Sequence, residues 1–251
     1  MDGRGWALVT GAARRIGRAL ALSAAEAGYD VLVHYDASAD EAQETAAGVR
    51  ALGRRAATAP ADLSQPEAIA PLLSAAPAPV TLLVNSASVF ADDRMGTLAS
   101  PQWDHVFAVN LRAPVLLAQA FADALPPGEP GLIVNILDQR VLRLRPDFFS
   151  YGVSKAALWA ATQMLAQALA PQIRVAAIAP GPTLSSIHQS ADDFVAEAAA
   201  TPLGHGATPD EIGQALTYLI DARSVTGQVI AVDGGQHLAW RTPDFLAGEP
   251  L

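Results

Sequence analysis

Short apolar runs alternate with longer helical segments along almost the whole chain. The short runs are rich in Val, Leu, Ile and Ala, and most of them end beside a residue that favours turns. Continuous apolar runs of this length are typical of strands covered on both faces, as in a parallel sheet. They predict strands at residues 6–10, 30–35, 58–62, 80–85, 131–137, 173–179 and 229–232.

The segments between these runs have the length and spacing of buried helices. They predict helices at residues 16–28, 40–53, 67–76, 103–125, 151–170 and 209–220. Gly28 lies where a helix C-cap belongs, and Ser38 with Glu41 has the spacing of a capping box. The expected fold is α/β, a single-domain Rossmann-type doubly wound parallel sheet of about seven strands with helices on both faces. No repeat or linker divides residues 1–251, so we expect one domain.

Composition excludes several classes of function. The 251 residues carry a net charge of −9, which argues against a nucleic-acid partner because phosphate contacts need a basic surface. There is no cysteine, and the five histidines lack the spacing of metal ligands, so no metal site is expected. The N-terminus has no apolar signal region, and no run approaches the length of a spanning helix. We therefore expect a cytoplasmic protein with no membrane partner.

The turn TGAARRIG at residues 10–17 joins the first predicted strand to the first predicted helix. Glycines in this place let backbone N–H groups approach a pyrophosphate at a helix N-terminus. Arg14 and Arg15 add positive charge that a purely structural turn does not need. The alternative is a tight turn with an accidental arginine pair.

Tyr151 and Lys155 are four residues apart on a predicted helix, so they share one face. An ammonium held close to a phenol lowers the phenol pKa, which makes tyrosine a usable proton donor near neutral pH. The alternative is an exposed Tyr–Lys pair on an amphipathic helix.

Taken in order along the chain, these motifs and several others form a known pattern. They are TGAARRIG, Asp62-Leu63, Asn85-Ser86-Ala87, Asn110, YGVSK at residues 151–155, Pro180-Gly181 and VDGG at residues 232–235. The pattern resembles the short-chain dehydrogenase/reductase family over nearly the whole chain. The resemblance implies a Rossmann fold, a nicotinamide cofactor, and hydride transfer to or from a carbonyl or imine.

The resemblance also implies roles for individual residues. Tyr151 is the expected proton donor, Lys155 the residue that holds the cofactor ribose and tunes the tyrosine, and Asn110 the anchor of a proton-relay water. The expected cofactor-binding residues are Gly11, Arg14, Arg15, Ile16, Gly17, His34, Tyr35, Ser38, Asp62, Leu63, Asn85, Ala87, Lys155, Pro180 and Gly181.

Most members of the family have a serine thirteen residues before the catalytic tyrosine, and this chain has Asp138 there. Aspartate at this place, with an arginine in the first turn, is similar to the pteridine reductases. In that subfamily the residue matching Arg15 faces both pyrophosphate and substrate, and the aromatic matching Phe90 stacks on the pterin ring. Arg15, Ser88, Phe90, Asp138 and Tyr151 are therefore the expected substrate-binding residues. The alternatives are that Asp138 only hydrates its loop and that Phe90 is tucked under the sheet edge.

The end of the second strand bears on the choice of cofactor. An NAD enzyme has a carboxylate there for the ribose hydroxyls, whereas a 2′-phosphate needs cations and donors. Tyr35 occupies the expected acid position, with Arg14, His34 and Ser38 around it. Although the neighbouring Asp36 is unfavourable, NADP(H) is the predicted cofactor.

The residues and the resemblance together predict three further features. Segment 183–206 is the expected substrate lid with a short helix; His188 within it either contacts substrate or is an exposed loop residue. The helices at 103–125 and 151–170 are apolar on more than one face, and in the family they pair across a homotetramer. The C-terminal tail, 236–251, carries Trp240 and Phe245 and either closes the pocket or packs across a subunit boundary.

The resulting hypothesis is an NADPH-dependent reductase of a pteridine such as a dihydropterin or dihydrofolate-like molecule, with Tyr151 as proton donor. One alternative keeps the enzyme class but changes the substrate to a 3-oxoacyl thioester or another ketone. A second alternative is a regulatory protein that binds a dinucleotide without turnover.

Overall fold

The structure, a computed structural model, describes residues 4–185 and 189–239. Within these residues the predicted strands form one seven-stranded parallel sheet in the order β3-β2-β1-β4-β5-β6-β7. The strands are β1 Trp6–Val9, β2 Asp30–Tyr35, β3 Ala56–Pro60, β4 Val80–Asn85, β5 Gly131–Ile136, β6 Ile173–Pro180 and β7 Val229–Val232. The predicted doubly wound α/β fold is confirmed.

Eight α-helices connect and cover the strands in the described part of the chain. They are α1 Arg15–Glu26, α2 Ala39–Ala51, α3 Ile69–Ser74, α4 Ser100–Phe107, α5 Ala113–Ala124, α6 Phe149–Ala168, α7 Ala191–Ala199 and α8 Pro209–Asp221. Gly28 follows α1 with φ 99°, the left-handed conformation that a glycine beyond a helix end adopts at low cost. The short helix expected in segment 183–206 is α7.

The sheet separates two apolar cores, which explains why its strands are continuous apolar runs. Ala7 and Val9 of β1 point into the core under α1, α2 and α8, and Trp6 and Leu8 point into the core under α3, α5 and α6. Each of these four side chains is almost fully buried. Because both faces are covered, the sheet offers its loops, rather than its faces, to a ligand.

The helix predicted at 103–125 differs from the observed structure. It begins at Ser100, with Pro101 in its first turn, where the missing N–H of proline costs nothing. A π-helical segment, Ala108–Arg112, separates α4 from α5, so Asn110 lies in that segment and not in an α-helix. Such segments interrupt helices where a side chain must be redirected, and they often mark functional sites.

The run Ser100–Ala124 is also long and apolar enough, at a mean hydropathy of 1.2, to cross a membrane by composition. Half of its most apolar 18-residue window is buried inside the fold, however, where α5 packs against α3 and β4. Burial in the core accounts for this hydropathy without a membrane.

The capping box predicted at Ser38 is wrong, and one exists elsewhere. Ser38 precedes α2 but has ψ 65°, outside the extended region that an N-cap needs, and its side chain makes no capping hydrogen bond. Before α8, in contrast, Thr208 Oγ1 accepts from Glu211 N, and the Glu211 carboxylate accepts from Thr208 N. The helix that carries the capping box is therefore α8.

Replacing Thr208 and Ser38 by alanine, one at a time, should show which of the two side chains caps a helix. We expect Thr208→Ala to lower the free energy of unfolding by about 1 kcal/mol because the Glu211 N–H in the first turn of α8 loses its acceptor, Thr208 Oγ1. Ser38→Ala, the matched control, should change it by less than about 0.5 kcal/mol. Urea denaturation without ligand measures both; an equal loss in the two variants would contradict the assignment.

Candidate active site

A cavity of about 650 Å³ opens at the carboxyl edge of the sheet, where the chain leaves β1 and β4 in opposite directions. This is the switch point at which open α/β sheets bind ligands. The predicted residues that line it are Gly11, Arg14, Arg15, Ile16, Gly17, His34, Tyr35, Ser38, Asp62, Leu63, Ala87, Ser88, Phe90, Asp138, Tyr151, Lys155, Pro180 and Gly181. Asn85 and Asn110, also predicted, lie behind its wall.

The turn between β1 and α1 is packed so closely that its glycines have no room for a side chain. A Cβ on Gly11, which has φ 63°, would meet the Ala87 backbone at 2.9 Å, and one on Gly17 would meet the Gly11 carbonyl. The turn therefore presents bare backbone to the cavity, next to the N-terminus of α1. This arrangement fits the pyrophosphate of a dinucleotide.

The two arginines of this turn point to different places. Arg14 is exposed, with Nη1 3.4 Å from Glu41. Arg15, in a left-handed conformation with φ 54°, donates from Nη2 to the carbonyls of Leu184 (3.3 Å) and Ser185 (3.0 Å). Arg15 thus holds Leu184 and Ser185, at the start of segment 183–206, against the turn. His188 lies outside the described residues, as do Trp240 and Phe245.

His34 lines the cavity but does not supply the positive charge expected of it. Its Nδ1 accepts from Gly11 N at 3.0 Å, so Nε2 carries the proton and donates to Ala61 O, also at 3.0 Å. Burial lowers the pKa of His34 as well. The ring is therefore neutral and connects the ends of β1, β2 and β3, and the expectation of a phosphate-binding cation here is wrong.

Asn110 connects the loop after β4 with helix α6 through its side chain. Its Oδ1 accepts from Val89 N at 2.7 Å, and its Nδ2 donates to Val89 O at 2.9 Å and Ser154 Oγ at 3.1 Å. Asn110 therefore fixes the loop after β4 against α6. Its implied role in anchoring a relay water stays a prediction.

Asn85 is buried and belongs to a separate chain of side-chain bonds. It donates from Nδ2 to Asn135 Oδ1 at 2.8 Å, and Asn135 donates to Thr162 Oγ1 at 2.9 Å. This chain joins β4, β5 and α6 beneath the cavity. The expected role of Asn85 in cofactor binding stays a prediction.

Three predicted catalytic side chains meet on the far wall of the cavity. The Tyr151 hydroxyl donates to Asp138 Oδ2 at 2.9 Å. Lys155, one turn along α6, donates from Nζ to Ile136 O at 2.7 Å, and that nitrogen lies 5.7 Å from the centre of the Tyr151 ring. Tyr151 and Lys155 share a face of the helix, as their spacing predicts.

The acid–base properties of this group differ from the expectation. Burial raises the pKa of Tyr151 well above its ordinary value, and the neighbouring Asp138 carboxylate raises it further. Burial also raises the pKa of Asp138, and burial lowers the pKa of Lys155 to about 8. A lowered phenol pKa was expected because of the ammonium. That expectation is wrong for this geometry, since the phenol faces a carboxylate at hydrogen-bond distance.

Asp138 is held from its other side by Arg140. Asp138 Oδ1 accepts from Arg140 N at 2.8 Å, and the Arg140 guanidinium lies 3.9 Å from that oxygen. The same guanidinium is 3.2 Å from Asp147 and lies over the ring of Phe148. The carboxylate that bonds Tyr151 is thus fixed in orientation, which argues against a role limited to hydrating its loop.

Phe90 and Tyr151 bring aromatic rings to one wall of the cavity, and Phe148 packs against Phe90 outside it. Phe90 stacks on Phe148, with ring centres 4.3 Å apart, and meets Tyr151 edge to face at 4.6 Å. Phe148 precedes α6 with φ 51° and was not predicted as a site residue. No sequence signal marks it, because a left-handed conformation is unusual for a bulky residue.

Asp93 is a second residue that the sequence did not reveal. This buried carboxylate accepts from Ser150 N at 2.9 Å, and its carbonyl accepts from Phe149 N at 2.9 Å. A carboxylate at a helix N-terminus is stabilising there. Asp93 therefore clamps the loop that carries Phe90 to the start of the helix that carries Tyr151, a link between residues 57 positions apart.

Comparison with known proteins agrees with this geometry. Residues 11–237 match a family model described as enoyl-(acyl carrier protein) reductase. The chain belongs to the short-chain dehydrogenase/reductase family. A short-chain type dehydrogenase/reductase of Picea abies is 32% identical over 248 residues, covering 92% of this chain and 91% of that protein. The expected family and the oxidoreductase class are confirmed.

Two further relatives bear on the substrate. The solved structure of FolM alternative dihydrofolate reductase 1 from Brucella suis, in complex with NADP, is 47% identical with a TM-score of 0.93. It covers 98% of this chain and 100% of that one. A 3-oxoacyl-(acyl carrier protein) reductase of Staphylococcus epidermidis is 28% identical over 240 residues, covering 92% of this chain and 98% of that protein.

Proposed function

We propose that this protein is an NADPH-dependent reductase of a dihydropterin-like substrate, with Tyr151 as proton donor. The observation that carries the proposal is the hydrogen bond from Tyr151 to Asp138, at the place where most of the family has serine. Phe90 beside it provides an aromatic wall for a flat bicyclic ring. The similarity to a Brucella alternative dihydrofolate reductase supports the same substrate class.

The residues of the cavity fit NADP(H). The bare turn at Gly11 and Gly17 suits the pyrophosphate, and Tyr35, Ser38 and Arg14 stand where a 2′-phosphate would lie. Tyr35 occupies the position at which a carboxylate would repel that phosphate, although the neighbouring Asp36 also lines the cavity. When bound, the nicotinamide supplies the hydride; the chain supplies binding, orientation and the proton.

The proton path follows from the pKa shifts. Tyr151 donates to Asp138 Oδ2, and burial raises the pKa of that carboxyl group. When Asp138 takes up a proton, the direction of this hydrogen bond reverses and the phenol O–H faces the substrate. Tyr151 then gives its proton to the substrate nitrogen and takes the proton of Asp138, which ends as a carboxylate. One proton is delivered, and a C=N bond reduced at carbon needs one at nitrogen. The nearby Lys155 ammonium stabilises the carboxylate that forms.

A ketoreductase is the second candidate, and the similarity to the staphylococcal 3-oxoacyl reductase favours it. Asp138 argues against it, since ketoreductases typically have serine there. A dinucleotide-binding protein without turnover is less well supported, because Tyr151 and Lys155 are intact and buried.

We also propose that the enzyme is cytoplasmic and that it forms a homotetramer. Val153 and Met164 on the outer side of α6 are exposed apolar residues, with 70% of Met164 accessible. A face of this kind suits contact with a second copy.

Turnover tests the substrate and the proton donor together. NADPH oxidation should be fast with 7,8-dihydropterin or 7,8-dihydrofolate and slow with acetoacetyl thioesters and small ketones. Tyr151→Phe should lower turnover by at least about 100-fold, because the proton donor is lost, and should leave the Kd of NADPH within about twofold. Tyr218→Phe, an exposed control on α8, should change neither quantity. Activity retained in Tyr151→Phe would exclude this donor, and preference for ketones would exclude the substrate class.

The relative affinities for NADPH and NADH test the predicted cofactor. We expect the Kd of NADPH to be at least about 10-fold below that of NADH, because the charge of Arg14 and the donors of Tyr35 and Ser38 outweigh the neighbouring Asp36. Arg14→Gln should bring the two dissociation constants closer together, because a positive charge near the 2′-phosphate is lost. Arg18→Gln, one turn further along α1 and paired with Glu44, is the matched control. Fluorescence titration measures both dissociation constants; equal values for the two nucleotides would contradict the prediction.

The pKa of Lys155 predicts a pH dependence. Below about pH 8 the buried ammonium carries its charge and can hold the cofactor ribose; above that pH the free protein loses the proton. The affinity for NADPH should therefore fall as pH rises through 8, by up to about 10-fold per pH unit. Titrations between pH 7 and 9.5 measure this. Lys155→Met should bind weakly with a flat profile, and a flat profile in the unaltered protein would contradict the assignment.

A further inference from the structure

Asp138 is one end of a chain of alternating charges that runs away from the active-site cavity. A second cavity, of about 670 Å³, adjoins the first, and Asp138 lines both. Its Oδ1 accepts from Arg140 N at 2.8 Å and lies 3.9 Å from Arg140 Nε. The oxygen that bonds Tyr151 is the other one, Oδ2, so this carboxylate connects the tyrosine with the arginine.

Arg140 is shared between two carboxylates. Its Nη1 lies 3.2 Å from Asp147 Oδ2, and only 15% of its side chain is exposed. The same guanidinium lies 4.9 Å from the centre of the Phe148 ring, and that ring stacks on Phe90. A planar cation held against a ring and between two carboxylates has little freedom to move. Arg140 therefore supports both the carboxylate that bonds Tyr151 and the ring behind Phe90.

Asp147 is the other end of the chain and keeps its negative charge. Burial raises the pKa of Asp147, but the charge of Arg140 outweighs that effect and the pKa is lowered. Arg145 lies 3.1 Å from its Oδ1, with 55% of the arginine side chain exposed, so solvent screens that second cation. At neutral pH Asp147 therefore competes with Asp138 for the charge of Arg140.

The titratable and charged groups around Asp138 come from three elements: Tyr151 and Lys155 from α6, Glu197 from α7, and Arg140, Arg143, Arg145 and Asp147 from the segment after β5. Glu197 lies across the second cavity, where it accepts from two glutamine side chains at 2.8 Å. Burial raises the pKa of Asp138, and Arg140, Tyr151 and Lys155 act against that rise. Of the two cations among them, Arg140 also orients the carboxylate through its backbone N–H.

We propose that Arg140 and Asp147 are positioning residues for the reaction. Arg140 aims Asp138 at Tyr151, and Asp147 limits the positive charge that Asp138 experiences. The inference rests on the proposed function, in which Asp138 takes up a proton before the phenol O–H faces the substrate. A guanidinium shared with Asp147 leaves Asp138 able to take up that proton, whereas one facing Asp138 alone would hold it as a carboxylate.

The first test follows Asp138 itself and needs no substrate. In protein with isotopically labelled aspartate carboxyl groups, the NMR signal that Asp138→Asn removes reports the titration of Asp138. Arg140→Gln should move its midpoint up by about one pH unit, because a nearby cation is lost. Asp147→Asn should move it down by about half a pH unit, because Arg140 then faces Asp138 alone. Arg140→Lys keeps the charge and should reverse most of the first shift.

The pH profile of kcat with 7,8-dihydropterin is the second readout. Because turnover needs protonated Asp138, kcat should fall as pH rises through its midpoint, and this fall should move to higher pH in Arg140→Gln and to lower pH in Asp147→Asn. A purely structural role would not move the two variants in opposite directions. Arg223→Gln and Asp123→Asn each remove one exposed charge away from both cavities and should leave the midpoint in place.

The outcomes separate this inference from the proposed function. If both variants move the midpoint of Asp138 in the same direction, or if neither moves it, the inference is wrong, and pterin reduction by the unaltered enzyme stands. If the unaltered enzyme reduces no pterin, the proposed function fails, and the NMR midpoints alone decide the charge coupling. The side chain of Asp147 is at the rim, 23% exposed, so Asp147→Asn provides the test even where Arg140→Gln does not fold.

Discussion

The structure depends on a row of buried polar side chains that crosses the carboxyl edge of the sheet. His34 connects the turn after β1 with the loop after β3, and Thr10 Oγ1 accepts from two backbone N–H groups of the loop after β4. Asn85, Asn135 and Thr162 continue the row through β4 and β5 to α6. A buried polar group without a partner is costly, so each of these bonds also holds one loop at a defined position.

This row explains why the cavity has its shape before any ligand binds. The loops at the ends of β1, β3 and β4 are each fixed by a side chain beneath them. Asp93 and Asn110 then fix the loop of Phe90 to α6. Tyr151, Asp138 and Lys155 project above the row. Their altered pKa values follow from the same burial that makes the row necessary.

Much of this architecture could be predicted from the sequence, because apolar runs and helical spacing report burial directly. The motif order likewise placed Tyr151, Lys155 and Asp138 at one site, and the structure brings them together. The spacing of residues along the chain does not reveal which group a polar side chain bonds. From the sequence, His34 was therefore expected to be a cation that binds phosphate. In the structure both nitrogens of its ring are hydrogen-bonded to backbone groups.

Other features left no readable local pattern. The left-handed conformation of Phe148 and the clamp at Asp93 depend on residues far apart in the chain. The arginines at 140, 143 and 145 are visible in the sequence, but only the fold shows that they face one cavity. Similarly, Ser38 has the residue types of a capping box without the backbone conformation that one requires.

The π-helical segment Ala108–Arg112 sets the rotational register between α4 and α5. Consecutive residues of an α-helix are separated by about 100° around its axis, so one residue more or fewer turns every following side chain by that angle. Shortening the segment by one residue into regular α-helix would rotate α4 relative to α5. Asn110 would then leave Val89 and Ser154, while the apolar stripe of α5 stayed in the core. The π-helical segment therefore allows α5 to keep its apolar stripe in the core while Asn110 faces the site.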